Sequence, residues 1–137
     1  MGLAEQGSPA ERPYVLVRAA EAATRDLRNG RGHSLRLLEP DMAGGASSIS
    51  RVVIDPGTQP GPFHLHERAN NIYIGLDGVT QIRVAQETVD LGPLDLVFIP
   101  SGVPHSTHNA GGQPVSLLAM YDRSVADDFV VVNEGIA

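Results

Sequence analysis

The stretch from Phe63 to Gly78 reads Phe-His-Leu-His-Glu-Arg-Ala-Asn-Asn-Ile-Tyr-Ile-Gly-Leu-Asp-Gly. Its two histidines, His64 and His66, are separated by one residue, so both imidazoles share one face of an extended strand. His105 lies about forty residues further on in a second strand-like segment. A fold that brings the two segments together would complete a three-nitrogen site for a divalent transition metal. The pair alone also fits two unrelated surface or half-buried histidines, so further signals are needed.

Short apolar runs separated by turn residues extend outward from this stretch. The predicted strands are 34–38, 47–54, 71–76, 79–84, 87–91, 95–99, 105–109 and 115–121. The dipeptide Asp77-Gly78 is typical of a tight hairpin, so 79–84 is predicted to return alongside 71–76. Strands this short and this closely spaced leave no room for crossover helices and indicate an all-β sandwich or barrel.

The two ends of the chain are less regular. Residues 1–13 have no hydrophobic period and are predicted to be a flexible leader, which leaves 14–137 as one domain. A short edge strand is predicted over 14–18, and the alanine-rich segment 19–27 is the one predicted helix, closed by Asn29-Gly30. Near the C-terminus, Phe129 to Val132 is predicted to add a last strand or to pack on a neighbouring chain.

Composition narrows the classes of partner. The 137-residue chain is 42% hydrophobic and 19% charged, as in ordinary globular domains. Its net charge of -6 and scattered arginines argue against nucleic acid or an anionic membrane as partner. No apolar run approaches the ~20 residues of a membrane span and no secretory signal is evident, so a cytoplasmic location is expected.

Two absent residue types exclude whole classes of chemistry. The chain has no cysteine, which removes disulfides, thiolate catalysis and cysteine-ligated metal sites. All ten basic residues are arginine, so Schiff-base chemistry and the lysine of a phosphate-binding loop are also excluded. Histidine, carboxylate, tyrosine and metal remain as carriers of a reaction.

Two spaced motifs in the chain resemble those of the cupin superfamily, whose members are small double-stranded β-helix, or jelly-roll, barrels. The first family motif contains His-x-His, an acidic residue and a closing glycine. Here His64, His66 and Gly78 fall into place and Asn71 occupies the acidic position. Its opening glycine would be Gly57, which lies one residue too far from His64.

The second motif, a Pro-x-Gly followed by His and Asn, is matched with correct spacing. Pro100, Gly102, His105 and Asn109 supply it, while Leu94 takes the position of its first glycine. The resemblance covers 34–122 and implies an all-β cupin barrel. It also implies that His64, His66 and His105 bind one divalent metal, with Fe²⁺ expected and Mn²⁺, Ni²⁺ or Zn²⁺ as alternatives.

Asn71 is the departure that bears most on function. A glutamate there would give the metal an anionic oxygen, whereas asparagine offers at most a neutral carbonyl oxygen. Weaker metal affinity and better stabilisation of an anionic or chelating substrate follow, with coordination positions left open for substrate and dioxygen. The alternative is a degenerate barrel that binds no metal.

Strand parity suggests further candidates. Tyr73 shares the face of Asn71 and is predicted to line the pocket as a catalytic residue that donates to an oxyanion, although a barrel tyrosine also fits the core. Thr107 and Asn109 share the face of His105. His108 and His33 are expected to lie outside the site. Glu67 and Arg68 are weak candidates, and the direction of the Tyr121 side chain is left open.

The sequence therefore predicts a small metal-dependent cupin enzyme acting on an oxygen-rich or carbonyl substrate, with a dioxygenase-like reaction preferred. A metal-assisted isomerase, cyclase or lyase is the first alternative, and a non-catalytic small-molecule-binding or sensory cupin is the second. A small molecule is the expected partner. We also expect a homodimer, because barrels of this size commonly cover sheet edges by pairing.

Overall fold

The computed structural model describes residues 13–44 and 47–133, so the predicted leader lies outside the described residues except for Pro13. Eleven strands are found in this part of the chain. They are β1 (Ala23–Asp26), β2 (Gly32–Leu38), β3 (Ser48–Ile54), β4 (His64–His66), β5 (Asn71–Gly75), β6 (Thr80–Val84), β7 (Glu87–Leu91), β8 (Leu96–Ile99), β9 (His105–His108), β10 (Val115–Tyr121) and β11 (Phe129–Val131). Short 3₁₀ turns occupy Ala19–Glu21, Arg28–Gly30 and Pro40–Ala43.

The strands form two antiparallel sheets. One has the order β1-β2-β3-β10-β5-β8 and the other the order β11-β4-β9-β6-β7. Neighbouring strands in each sheet are mostly distant in sequence, as expected where the chain alternates between two layers. The predicted all-β jelly-roll architecture is confirmed, and the predicted strands agree with the observed ones to within a residue or two at each end.

The prediction for residues 14–27 is wrong. No edge strand forms over 14–18, and the alanine-rich segment divides into a 3₁₀ turn and the exposed strand β1, which pairs with β2. Helix propensity is a weak preference, and a segment this short gains too little from helix formation to cover the nucleation cost. Pairing with the edge of β2 satisfies its backbone groups instead.

The turn at Asp77-Gly78 is present, but the predicted hairpin is not. Strand β5 pairs with β10 and β8, whereas β6 pairs with β7 and β9, so this turn carries the chain from one sheet to the other. Ser116 in β10 holds the turn, since its backbone N–H donates to the Asp77 carbonyl at 2.9 Å and its carbonyl accepts from Leu76 at 2.9 Å. Gly78 has φ +72°, and a Cβ there would lie 2.8 Å from Cγ1 of Val115.

The apolar core lies between the two sheets at one end of the barrel. Its buried members are Ile54, Tyr73, Ile82, Leu91, Ile99, Val115, Leu117 and Ala119. Strand β11 pairs with β4 of the same chain, so the C-terminal stretch forms a sheet edge within the chain. The expected homodimer stays a prediction. No helix in the described residues is long and apolar enough to cross a membrane.

Candidate metal centre and its cavity

Three histidines meet at the inner face of the five-stranded sheet. His64 and His66 alternate on β4, and His105 begins β9 directly opposite His64 in the strand register. Their ring centroids lie 4.4 to 5.7 Å apart, and one ring nitrogen from each lies within 4.8 Å of the other two. The predicted convergence is thus observed, and the cluster is close enough for one ion to contact all three rings.

Each of the three rings has an oxygen acceptor at Nδ1. The His64 Nδ1 lies 2.8 Å from the Pro62 carbonyl, and the His105 Nδ1 lies 2.9 Å from the Val103 carbonyl. The His66 Nδ1 lies 3.0 Å from Oδ1 of Asp128. An acceptor at Nδ1 fixes the tautomer with the proton there and leaves Nε2 with its lone pair, which is how metal-binding histidines are oriented.

Asp128 is a site residue that the sequence did not indicate. It lies 62 positions after His66 in the chain, directly before β11, and its side chain is fully buried. Its Oδ2 also accepts the backbone N–H of Ala69 at 3.0 Å and of Arg68 at 3.3 Å. Burial alone would raise the pKa of this carboxyl, but the hydrogen bonds from His66 and the two backbone groups outweigh it and lower the pKa. Asp128 therefore stays ionised beside His66.

The imidazoles of His64 and His105 are kept neutral. The pKa of His64 is lowered from its ordinary value of 6.5 to about 4, chiefly by burial. The hydrogen bond to Pro62 raises this pKa, whereas the neighbouring His105, His66 and Arg28 side chains lower it. Burial likewise lowers the pKa of His105. A metal ligand must be unprotonated, so both rings are ready to bind at neutral pH. The buried Nε2 of His66 has no hydrogen-bond partner, a lone pair that a metal ion would satisfy.

Asn71 is at the edge of this cluster. Its side-chain nitrogen donates to Nε2 of His105 at 3.1 Å, while its Oδ1 is buried without a partner. A half-turn of the amide exchanges the two atoms and directs the oxygen toward the histidines. The position is therefore beside the centre, as the sequence indicated, and its side chain can supply a neutral oxygen.

Two tyrosines, the buried Tyr73 and the half-buried Tyr121, complete the inner surface beside the histidines. The Tyr121 ring lies 4.9 Å from the His66 ring, and the Tyr73 ring lies 6.0 Å from the His105 ring. Burial raises the pKa of Tyr73, with hydrogen bonding from Asn71 and Tyr121 acting in the opposite direction. Burial and the neighbouring Tyr73 raise the pKa of Tyr121 well above its ordinary value. Both phenols are therefore protonated at neutral pH and act as hydrogen-bond donors.

A cavity of about 310 Å³ opens beside the histidines between the two sheets. The six-stranded sheet contributes the inward-facing positions of four strands, which are Ser34, Arg36, Ser50, Val52, Tyr73, Leu117, Ala119 and Tyr121. Arg28, Arg31 and Arg36 line it, and we call them the arginine wall. His64 and His66 also line it, and with His105, which lies against both rings but does not itself line the cavity, they form what we call the histidine wall. No Asp or Glu among the described residues lines the cavity.

The remaining predicted candidates divide clearly. Thr107 lines the cavity and accepts a hydrogen bond from Arg31 at 3.0 Å. Asn109 is buried but binds the carbonyls of Ile54 and Gln113, which closes the turn before β10. The other three do not line the cavity: His108 contacts the Thr58 carbonyl, and Glu67 and Arg68 are exposed. His33 is exposed, as expected.

Arg36 and Tyr121 were within reach of the sequence. Period-two alternation places Ser34 and Arg36 on one face of β2, and the same rule applied from Ala119 reaches Tyr121 on β10. The inward direction of either face depends on how the strands pack. Arg31 and Arg28 precede β2 in a loop and turn, where no periodic signal exists.

A two-sheet β-barrel with three converging histidines that could hold a metal ion is the arrangement found here. The cupin-domain family model matches residues 50–121, just over half of the 137-residue chain. The chain belongs to the cupin family.

Solved structures share the fold. A predicted oxalate decarboxylase from Thermotoga maritima is 27% identical with a TM-score of 0.68, over 80% of this chain and 100% of that chain. The DMSP lyase DddQ from Ruegeria pomeroyi is 25% identical with a TM-score of 0.67, over 82% of this chain and 62% of the lyase, less than two thirds of it. The polyketide cyclase RemF from Streptomyces resistomycificus is 19% identical with a TM-score of 0.72 over 88% of each chain, a likeness of fold alone. Among curated proteins, none matches the chain significantly.

Proposed function

We propose that this protein is a metal-dependent enzyme acting on a small oxygen-bearing substrate inside the barrel. The observation that carries the proposal is the histidine wall, in which each Nδ1 has an oxygen acceptor and the buried Nε2 of His66 has no partner. His64, His66 and His105 would hold a divalent transition ion, with the oxygen of Asn71 as a further neutral contact. Such an ion supplies Lewis acidity to a carbonyl, enolate or carboxylate oxygen.

The two tyrosines supply hydrogen-bond donors, which the histidine wall lacks. Because burial raises the pKa of both phenols, Tyr73 and Tyr121 enter the reaction as donors. A hydrogen bond from Tyr73 would stabilise negative charge that develops on a substrate oxygen, or pass a proton to it. Tyr121 would orient Tyr73 through the hydrogen bond between their side chains.

This arrangement favours a Lewis-acid reaction, of the lyase, isomerase, decarboxylase or cyclase kind, over the dioxygenase-like reaction that the sequence predicts. Two neutral donors beside the metal position suit proton transfer and oxyanion stabilisation. A lyase, a decarboxylase and a cyclase are also among the proteins that share the fold. The dioxygenase-like reaction with iron remains the alternative, and a binding or sensory role without turnover is the next.

The first experiment measures metal and turnover together. The protein is loaded anaerobically with iron, manganese, nickel or zinc, and metal content is determined by elemental analysis. About one equivalent is expected in the wild type and less than a tenth in His66→Ala, with the exposed His33→Ala as control. Wild-type protein that also retains less than a tenth of an equivalent would refute the metal-dependent proposal.

Tyr73→Phe tests the proton donor once a panel of keto acids, diketones and phenols has given a turned-over substrate. A fall in kcat of about 10²-fold or more is expected, at unchanged metal content. Tyr14→Phe is the matched control, because Tyr14 is 57% exposed. Oxygen uptake coupled to turnover would select the dioxygenase-like reaction, and binding without turnover would select the sensory role.

A further inference from the structure

The arginine wall concentrates positive charge in a protein whose overall charge is -6. Arg28, Arg31 and Arg36 line the same cavity, and no Asp or Glu among the described residues shares that lining. Buried or half-buried arginines in proteins are normally paired with carboxylates. Arg28 is exposed and solvent compensates its charge, whereas Arg31 is buried and Arg36 is half-buried. With no carboxylate partner for these two among the described residues, the compensating charge is expected to come with a ligand.

Arg31 is the buried anchor of this wall. Its side chain is held by three hydrogen bonds to uncharged acceptors: Nε to the Gln59 carbonyl at 3.2 Å, and Nη2 to the Thr107 carbonyl at 2.8 Å and to Thr107 Oγ1 at 3.0 Å. Within residues 13–44 and 47–133, Nη1 of Arg31 donates to no protein atom and no carboxylate pairs with the guanidinium. Arg31 is only 7% exposed, and burial lowers the pKa of its guanidinium.

The backbone beside Arg31 is shaped for the guanidinium. A Cβ at Gly61 would lie 2.6 Å from Nη1 and 2.8 Å from Cζ of Arg31, so the absence of a side chain at Gly61 makes room for the planar group. Gly61 also donates its backbone N–H to the Thr107 carbonyl at 3.0 Å. The loop and β9 therefore fix the orientation of Arg31 without neutralising its charge.

Arg36 is the open member of the wall. Its Nε is buried with no hydrogen-bond partner among the described residues. In the register of the six-stranded sheet, Arg36 is opposite Ser50, Ser50 is opposite Ala119, and Ala119 is opposite Tyr73. The two small side chains between Arg36 and Tyr73 leave space for a ligand across this row. A ligand there would meet the guanidinium at one end and the phenol at the other.

Arg28 lies nearest the histidines. Its guanidinium stacks over the Phe129 ring at 4.9 Å, and its charge is one of the factors that lower the pKa of His64. Phe129, Leu27 and Val125 give this part of the cavity an apolar surface. A cationic wall next to apolar side chains suits an organic anion better than a bare inorganic one.

We propose that the arginine wall is a subsite for the carboxylate of a small organic acid. Guanidinium groups bind carboxylates through parallel charge-assisted hydrogen bonds, and Arg31 and Arg36 present donors that no protein acceptor takes up. A cavity of about 310 Å³ holds roughly ten non-hydrogen atoms at the ~30 Å³ that each water occupies. The substrate class is thus a short carboxylic acid with a second oxygen-bearing group at its other end. That this second group lies toward the histidine wall rests on the proposed function.

The test uses benzoate and its neutral counterpart benzamide as probes, with the full-length protein in metal-loaded and chelator-treated form. Isothermal titration calorimetry is expected to give benzoate at least about tenfold tighter binding than benzamide in both forms. Arg36→Gln is expected to lose about tenfold or more in benzoate affinity, with benzamide changed less than twofold. Arg25→Gln, on the neighbouring strand and 59% exposed, is the matched control and keeps wild-type affinity.

Arg31→Lys is the second variant, since it keeps the positive charge but removes the planar fork. It is expected to lose benzoate affinity while its melting temperature reports any effect on Thr107 and Gln59. Equal binding of benzoate and benzamide, or wild-type benzoate affinity in Arg36→Gln, would overturn the carboxylate subsite. So would benzoate binding that disappears on chelation, because the metal alone would then hold the carboxylate.

The two proposals fail in different ways. If the protein takes up no metal but benzoate binding still depends on Arg36, the metal-dependent reaction is wrong and the carboxylate subsite is supported. If metal and turnover are present but neither arginine variant changes benzoate affinity, the subsite is wrong and the metal-dependent reaction stands.

Discussion

The histidine wall and the arginine wall face one cavity but are built in opposite ways. In the histidine wall, Nδ1 of each ring has an oxygen acceptor. The pKa values of His64 and His105 are lowered, so both of these rings are neutral. In the arginine wall, Arg31 is fixed by neutral acceptors and keeps its charge, and the buried Nε of Arg36 has no acceptor. One wall is prepared for a cation and the other for an anion. This difference is the basis of the two proposals, a metal ion at the histidine wall and a carboxylate at the arginine wall.

Support for the histidine wall is also of two kinds. His64 and His105 each use the carbonyl two residues earlier, so their orientation is set locally. His66 instead depends on the carboxylate of Asp128, which β11 delivers from the far end of the chain. The histidine wall should therefore be most sensitive to mutation at the contact that supports His66.

Asp128→Asn should have the largest effect of the three changes that follow, because it removes the negative charge beside His66. Metal affinity, measured by competition with a chromophoric chelator, is expected to fall about 10- to 100-fold. Asp127→Asn is the control, since Asp127 is exposed and asparagine also tolerates its φ of 61°. Equal metal affinity in the two variants would mean that Asp128 serves only to hold the backbone of Arg68 and Ala69.

Asn71→Glu adds a negative charge beside the histidine wall. A carboxylate beside His105 should raise metal affinity by about tenfold and, by repelling an anionic substrate from the cavity, lower turnover. Asn70→Glu is a neighbouring control whose side chain contacts Asp122 and not the histidines. Unchanged metal affinity in Asn71→Glu would show that position 71 does not face the metal.

Acidification tests the histidine wall without mutation and should have the smallest effect. The folded-state pKa of His64 is about 4, below its ordinary 6.5, so the unfolded chain binds the proton more readily in this interval. The stability of chelator-treated protein should therefore fall from pH 6.5 towards pH 4, by at most about 1.4 kcal/mol per pH unit for each proton.

Urea unfolding at pH 7 and pH 5 measures this difference. His64→Gln should reduce it, while the exposed His33→Ala should leave it unchanged. A chelator-treated wild type that is equally stable at the two pH values would contradict the lowered pKa of His64.

Most of the strands from β2 onward could be predicted because short apolar runs are separated there by turn residues. Residues 14–27 could not, because alanine favours a helix only weakly and β1 exists through its pairing with β2. The turn at Asp77-Gly78 was recognisable, but its strands separate into different sheets because Ser116 of β10 holds the turn. A local turn signal says nothing about which strand comes to lie alongside.

The sequence by itself determined the barrel class and the three histidines, because alternation along a strand and the spacing of two motifs are local properties. Only the tertiary structure decided what surrounds them. Asp128 reaches His66 across 62 positions, and Arg36 of the other sheet lines the same cavity as His64 and His66, as does Arg31 from the loop before β2. These contacts arise where two layers fold together. Burial then keeps His64 and His105 neutral, beside a cavity whose lining holds arginines but no carboxylate among the described residues.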